Sequence, residues 1–286
     1  MKEFVQKVRI LTESLPYIKE FANKTVVIKY GGEALKDEKV SKTIIEDIAL
    51  MKFIGIKPVV VHGGGVEITE LLSKMNVKTE FVNGLRKTDK ITSEAVEMVL
   101  GAKINKKIVR DIGAHGVEAV GICGCDANLF EAVKIFPNGE DLGFIGEVKK
   151  VNTKLLDILI DNSYIPVIAP FSSDSKGNIY NINADYAALS VACALKAQKL
   201  VFLTDIEGVM RDRFDPTSVI STLKINEIDK YIEDKVIEGG MIPKVQSCKY
   251  AIENGVNTVH ILDGRLEHSL LLEIFTHHGI GTMVEK

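Results

Sequence analysis

The sequence predicts an α/β protein, a three-layer αβα sandwich around a central, mostly parallel sheet. β-Branched apolar runs alternate along the chain with stretches of helical period, the rhythm of repeated βα units. Several of these runs, Val59-Val60-Val61 among them, are apolar at successive positions, as expected of strands covered by helices on both faces. With 286 residues, 46% apolar and 26% charged, the chain is long enough to bury a large core and is unlike a disordered one.

The first expected element is a helix ahead of the sheet. Phe4, Val8, Leu11, Leu15 and Ile18 recur at spacings of four and three, one apolar stripe, and Pro16 is expected to interrupt or kink it. The stripe covers either this subunit's own core or another subunit. The βα units then read as strand Thr25–Tyr30 with helix 38–54, strand Pro58–His62 with helix 66–76, and strand Glu118–Cys123. Phe130–Phe136 and Phe144–Val151 flank Pro137-Asn138-Gly139 and predict an antiparallel hairpin hung on the sheet. Strand Ile165–Ala169, helix 184–197, strands Leu200–Thr204 and Thr258–Leu262 and helix 266–275 follow. No linker-like composition separates lobes, so residues 24–181 and 182–286 are expected to share a continuous sheet or a tight interface, with residues 1–23 as the preceding helix.

Thirty-six Lys and Arg against thirty-nine Asp and Glu give a net charge of −3, which argues against a nucleic-acid or anionic-membrane partner. No apolar run approaches the roughly 18 residues of a membrane span, and Met1–Ile10 lacks a secretory apolar region, so a cytoplasmic protein with small-molecule partners is expected. Cys123, Cys125, Cys193 and Cys248 include one C-x-C pair but no paired metal spacing. They read as reduced, structural thiols, Cys193 in an apolar helical run as core, with a metal or redox role as the alternative.

Four segments place backbone-permissive residues where ligands of parallel sheets collect, at the carboxyl ends of strands. They are Lys29-Tyr30-Gly31-Gly32, His62-Gly63-Gly64-Gly65, Asn181-Ile182-Asn183-Ala184-Asp185 and Thr204-Asp205-Ile206-Glu207-Gly208-Val209. Glycine pairs more often make tight turns than cradles, but two such loops on one sheet favour a phosphate. P-loop and protein-kinase motifs are absent, and Gly121-Ile122-Cys123-Gly124 does not supply a dinucleotide fingerprint. Two cations stand beside Gly-Gly pairs: Lys29 directly after a strand, and Lys244 after Gly239-Gly240-Met241-Ile242-Pro243, with Pro243 suited to a first helical turn.

These motifs, with Asn83-Gly84-Leu85-Arg86-Lys87-Thr88 and Gly143-Phe144-Ile145-Gly146-Glu147-Val148, closely resemble those of the acetylglutamate kinases of the amino-acid kinase family over nearly the whole chain. The resemblance implies the amino-acid kinase fold, with 24–181 as the amino-acid-substrate lobe and 182–286 as the nucleotide lobe. It implies ATP-dependent phosphorylation of the γ-carboxylate of N-acetyl-L-glutamate in arginine biosynthesis, with Mg²⁺ held chiefly by phosphate oxygens and water and no protein metal site. Lys29 and Lys244 would be the catalytic lysines, held by Asp185. Gly31, Gly32, Gly64 and Gly65 would present N–H groups to phosphoryl group and substrate. Arg86 would pair with the α-carboxylate, Asn181 with the acetamido end, and Thr204, Asp205 and Gly208 would line the nucleotide site. Asp185 has no base role, because the attacking carboxylate is already ionised.

The chain departs from the family pattern at Glu33, Val66, Lys87 and Cys125. A kinase of a longer or carrier-attached acidic amino acid, or a non-catalytic amino-acid-binding regulator, is therefore the alternative. The N-terminal helix resembles that of arginine-inhibited members, which implies a homo-hexamer, a trimer of dimers, and an L-arginine site formed by Tyr17, Lys199, His260, Glu273 and Gly279.

Overall fold

The computed structural model describes residues 2–212, 215–276 and 279–286. Helix α1 (Lys2–Phe21) leads, and Pro16 lies within it without interrupting it. Of the apolar stripe, Val8 and Leu15 are exposed, while the side chains of Phe4 and Leu11 lie outside the described residues.

Strand β1 (Thr25–Tyr30) is followed by the short α2 (Glu33–Lys36) and by α3 (Glu38–Phe53), capped by Asp37, whose carboxylate accepts from the Lys39 and Val40 amides. Next come β2 (Lys57–His62), α4 (Gly65–Lys74) and a two-residue ribbon, β3 (Phe81–Val82) with β4 (Leu85–Arg86). The sequence reading assigns no element to the stretch that follows. It is one helical rod, α5 (Lys90–Val96), a π-helical segment Glu97–Ile104 and α6 (Asn105–Gly113). Strands β5 (Ala119–Cys123), β6 (Phe130–Lys134) and β7 (Ile145–Val151), helix α7 (Lys154–Asp161), and β8 (Ile165–Ala169), β9 (Phe171–Ser173) and β10 (Ile179–Ile182) follow. The rest is α8 (Ala184–Ala194), β11 (Lys199–Thr204), β12 (Thr222–Lys224), α9 (Ile228–Glu233), α10 (Met241–Glu253), β13 (Thr258–Asp263), α11 (Ser269–Ile274) and β14 (Thr282–Glu285). Helix α11 begins later than the 266–275 reading, because His268 has φ +57° and cannot extend the helix backward.

The central sheet runs β12-β14-β13-β11-β1-β2-β8-β5, parallel except where β14 meets β13. Strands from both sides of the expected 181/182 division pair directly, β1 with β11. Alternation along each strand divides the core in two: Val27, Val59, Val61, Leu200 and Phe202 face one helical layer, and Val26, Ile28, Val60, Val201 and Leu203 the other. That is the three-layer sandwich expected from the sequence. The hairpin reading needs correction. β6 and β7 are antiparallel as expected, but they belong to a separate four-stranded sheet, β6-β7-β10-β9, completed by the segment read as a lobe boundary. The four cysteines are free; Cys248 is buried, and Cys193, read as core, is half-buried at the edge of the core that contains Cys248.

Gly143 joins this second sheet to the chain after Arg86. The Phe144 amide donates to the Thr88 carbonyl at 2.6 Å, and Thr88 returns its amide to Leu142 at 2.8 Å. Gly143 has φ +84°, and a Cβ there would collide with the Thr88 carbonyl. Gly143→Ala is therefore expected to cost about 2–3 kcal/mol, measurable as a lowered midpoint in urea unfolding.

Candidate active site

The register of the central sheet brings the glycine loops together. Tyr30 at the end of β1 stands opposite His62 at the end of β2, so the chain leaves both strands at one edge. The Gly63 amide donates to the Tyr30 carbonyl at 2.8 Å. A Cβ on Gly31 would lie 3.1 Å from Gly63 N and 3.2 Å from Gly63 Cα, so a side chain there would press on the neighbouring backbone. Gly64 caps α4 and Gly65 opens it, where helix N–H groups lack intrahelical partners and the dipole favours negative charge.

Lys29 is the fifth of the six residues of β1, whose bounds are those read from the sequence. It shares a face with Val27, the face on which α8 lies, and its Nζ meets Asp185 Oδ1 at 3.0 Å. Asp185 is fixed in turn by Asn183, whose Oδ1 caps α8 by accepting from the Asp185 amide at 2.8 Å. Lys244 lies in the first turn of α10, one residue after Pro243. It makes no ion pair among the described residues, but its charge and that of Asp185 both act on the fully buried Cys248 thiol, which burial pushes up to about 12.

A cavity of about 510 Å³ opens beside the loops, lined by Gly64, Gly65, Arg86, Asn181, Asn183 and Ala184 among others. A shallow groove lined by Gly32, Gly65, Val66 and Arg86 adjoins it. Arg86 borders both and is only 5% exposed. Its Nη2 donates to the Gly65 carbonyl at 2.6 Å and to Thr69 Oγ1 at 2.8 Å, and its guanidinium lies 4.6 Å from the centre of the Phe81 ring. Nη1 is buried with no partner among the described residues. A buried, charged N–H without an acceptor is costly, and a carboxylate is the acceptor its geometry suits best. Sequence reasoning missed Thr69 and Phe81, and included Asn183 in a candidate segment without giving it a role. For Thr69 the signal was present, since it sits four residues after Gly65 on one helix face.

A larger cavity, about 1050 Å³, is lined by Asp205, Gly208, Gly239, Gly240 and Lys244. Thr204 is buried behind it and stays tied to its own backbone, its hydroxyl donating toward the Ile206 carbonyl at 3.1 Å. Among the described residues no cluster of three or more His, Cys, Asp or Glu is arranged to hold a metal ion. Of the departures, Val66 lines the groove, Lys87 is drawn to Glu80 at 3.1 Å on the surface, and the Glu33 side chain lies outside the described residues. Cys125 receives a hydrogen bond from Cys123, which lowers its thiol pKa and raises that of Cys123.

The structure also brings together Lys199, His260, Glu273 and Gly279, four of the five residues expected to bind an inhibitor. His260 accepts at Nε2 from the Lys199 ammonium at 2.9 Å, so Nδ1 carries the proton and donates to Glu273 Oε1 at 2.6 Å. Glu273 Oε2 accepts the Ile280 amide at 2.8 Å, and a Cβ on Gly279 would lie 2.7 Å from it. Tyr17 of α1 reaches the end of α11 edge-on to Phe275 at 6.4 Å. Burial works to raise the Glu273 pKa, but the His260 hydrogen bond, the Ile280 amide and the Lys199 charge together leave it lowered.

Two glycine loops and a lysine–carboxylate pair at one edge of the central sheet, with a buried arginine on the ribbon beside them, make a site suited to anions. A family model described as "Amino acid kinase family" matches residues 24–263, and the chain belongs to that family. The resemblance to acetylglutamate kinases is borne out, and with it the reading as a kinase. The "Acetylglutamate kinase" of Desulforamulus reducens is 54% identical over 281 residues, 98% of either chain. Among solved structures, the N-acetylglutamate synthase of Neisseria gonorrhoeae complexed with coenzyme A and N-acetyl-glutamate superposes at TM-score 0.86 with 28% identity. The match covers 98% of this chain and 63% of the synthase, so the chain spans less than two thirds of that relative. A second synthase structure, complexed with coenzyme A and L-arginine, gives TM-score 0.80 at 27% identity, over 98% of this chain and 65% of the synthase.

One consequence concerns stability. Glu273→Gln removes the carboxylate that faces His260 and Lys199 and is expected to destabilise by about 2 kcal/mol near neutral pH. Because the native carboxyl titrates below its ordinary value of 4.5, that difference is present above pH 4.5 and narrows as pH falls through the native pKa. Urea titrations of both proteins across that range check it.

Proposed function

We propose that the chain phosphorylates the γ-carboxylate of N-acetyl-L-glutamate with ATP, by direct in-line transfer, in arginine biosynthesis. The observation that carries this reading is Arg86, buried on the rim of the cavity with Nη1 unpartnered, ready to take the substrate's α-carboxylate. The curated relatives named acetylglutamate kinase support the choice of substrate. Asn181, which lines the same cavity, would bind the acetamido end. The Gly31–Gly32 and Gly64–Gly65 backbones would face the phosphoryl oxygens, with Lys29 on one side, oriented by Asp185, and Lys244 on the other. Residues 24–181 then supply the amino-acid site, and 182–286 the nucleotide site through the cavity of Asp205, Gly208 and Lys244, with Thr204 supporting its floor.

Charge in flight between two anions spreads over three equatorial oxygens, so positioned cations and amides are what the reaction needs from the protein. Asp185 is committed to Lys29, and no carboxylate cluster forms a metal cage among the described residues. Mg²⁺ would enter with ATP, held by phosphate oxygens and water.

The reading extends to regulation. The cluster of Lys199, His260 and Glu273, with Gly279 and Tyr17 at its edge, would hold L-arginine, the guanidinium competing for the Glu273 carboxylate. The exposed Val8 and Leu15 of α1 would pack against another subunit, joining dimers into a hexamer. Inhibition requires that arginine bind a less active arrangement more tightly than the active one.

Assays with ATP, Mg²⁺ and N-acetyl-L-glutamate, against glutamate, aspartate and UMP, test the substrate; turnover with glutamate alone would sink the assignment. Lys29→Ala and Lys244→Ala are each expected to lower kcat by on the order of 10²-fold, about 3 kcal/mol, with far less effect on acetylglutamate binding. Arg86→Lys keeps the charge and loses the bidentate fork, so the KM for acetylglutamate should rise while that for ATP holds. Light scattering should find a hexamer that arginine inhibits, and deletion of residues 1–22 should leave an active dimer with weakened inhibition. An intact dimer fully active in millimolar arginine would end the regulatory reading and leave the kinase reading standing.

A further inference from the structure

We propose that His62 is the positioning residue of the substrate loop, a neutral imidazole locked in one tautomer by Asn105, whose Nδ1–H holds the Gly63 carbonyl and so turns the Gly64 N–H toward the cavity. This rests on the reading of Gly63–Gly65 as the cradle for substrate and phosphoryl group.

The protons follow from a chain that begins at Lys106. Its ammonium can only donate, so Asn105 Oδ1, 3.1 Å away, is the acceptor. With Oδ1 placed there, Asn105 Nδ2 faces two further carbonyls, Val167 at 2.9 Å and Ile122 at 3.4 Å. The same nitrogen lies 3.2 Å from His62 Nε2. An amide NH₂ has no lone pair to offer, so His62 Nε2 must accept, and the ring's single proton resides on Nδ1. Nδ1 is 2.9 Å from the Gly63 carbonyl oxygen. A second ring proton would point at the amide hydrogens, in a site where His62 is 0% and Asn105 1% exposed. Burial pushes the His62 pKa down to about 4; the Gly63 carbonyl opposes that shift, and the Lys106 charge adds to it.

Fixing that carbonyl fixes the next amide. The Gly63 amide is already held by Tyr30, and no peptide bond among the described residues is cis. In a planar trans peptide the N–H points opposite to the C=O. A Gly63 carbonyl held on the His62 side therefore directs the Gly64 N–H the other way, where Gly63, Gly64 and Gly65 line the cavity. The support beneath is specific. The π-helical segment ends at Ile104, immediately before Asn105, and Ile104 and Leu100 occupy the space a Cβ on Gly64 would need. A Cβ on Gly121 would collide with Asn105 Oδ1. π-Helical turns recur at functional sites, and here the turn delivers the amide that sets the tautomer.

The test combines spectroscopy of the full chain with kinetics. Long-range ¹H–¹⁵N spectra of labelled wild-type protein should show His62 protonated at Nδ1 only, unchanged from about pH 8 to about pH 5.5, where an ordinary histidine titrates. Protonation at Nε2, or titration in that window, overturns the proposal without any variant having to fold. His62→Asn keeps a donor near the position of Nδ1, His62→Gln carries its donor near Nε2, and His62→Leu carries none. Gln and Leu should lower kcat by on the order of 10²-fold at unchanged KM for ATP, and Asn should retain activity within about fivefold of wild type. Equal loss in Asn and Leu, or no loss in Leu, overturns the role. Wild-type protein without acetylglutamate-dependent turnover would instead overturn the functional reading itself, and with it this role; failure of the relay alone leaves wild type active.

Discussion

The close approach of two backbones, Gly31 against Gly63, is the constraint on which the rest of the site depends. Strands β1 and β2 are adjacent and in register, so the chain leaving each arrives at the same point of the sheet edge. Any side chain at Gly31 would press into Gly63 and force the loops apart. With both side chains absent, two runs of amides share one space with the Lys29 ammonium, whose Cε would lie 3.6 Å from a Cβ on Gly31. A parallel sheet produces this concentration of donors because all its strands end on one side, and glycine lets the donors crowd.

Charge at that edge is arranged by elements far apart in the sequence. Lys29 comes from a strand and Asp185 from the first turn of α8, and the pair spans the division at 181/182. Arg86 arrives on a two-residue ribbon that could not hold a buried cation alone, and is held from outside by Gly65, Thr69 and Phe81. Binding free energy for an anion is then prepaid in the fold, since the donors need little reorganisation when ligand arrives.

Two buried histidines show how burial converts a titratable side chain into a fixed bridge. His62 and His260 are both nearly inaccessible, both have lowered pKa values, and both carry their proton on Nδ1. Their ends differ. His62 joins a neutral amide to a peptide carbonyl, so its effect is geometric. His260 joins the Lys199 ammonium to the Glu273 carboxylate, so a competing cation can disturb it.

The sequence by itself determined the central strands, because β-branched apolar runs such as Val59-Val60-Val61 require helices on both faces. It also determined where glycine and lysine would stand, since Lys29, Gly31, Gly64 and Lys244 keep their places beside strand and helix ends whatever the distant packing. Periodicity could not reveal the rod from Lys90 to Gly113, because i→i+5 bonding over Glu97–Ile104 shifts the spacing of its apolar face. Nor could it reveal β9, β10, β12 and β14, each four residues or shorter and formed by the partners they meet. Only the tertiary structure decided which atoms pair. Lys199 and His260 are 61 residues apart, and Asn105 and His62 are 43 apart. Local periodicity is a property of neighbouring residues, whereas a buried donor must find whatever acceptor the packing brings to it, and that choice is made across the whole fold.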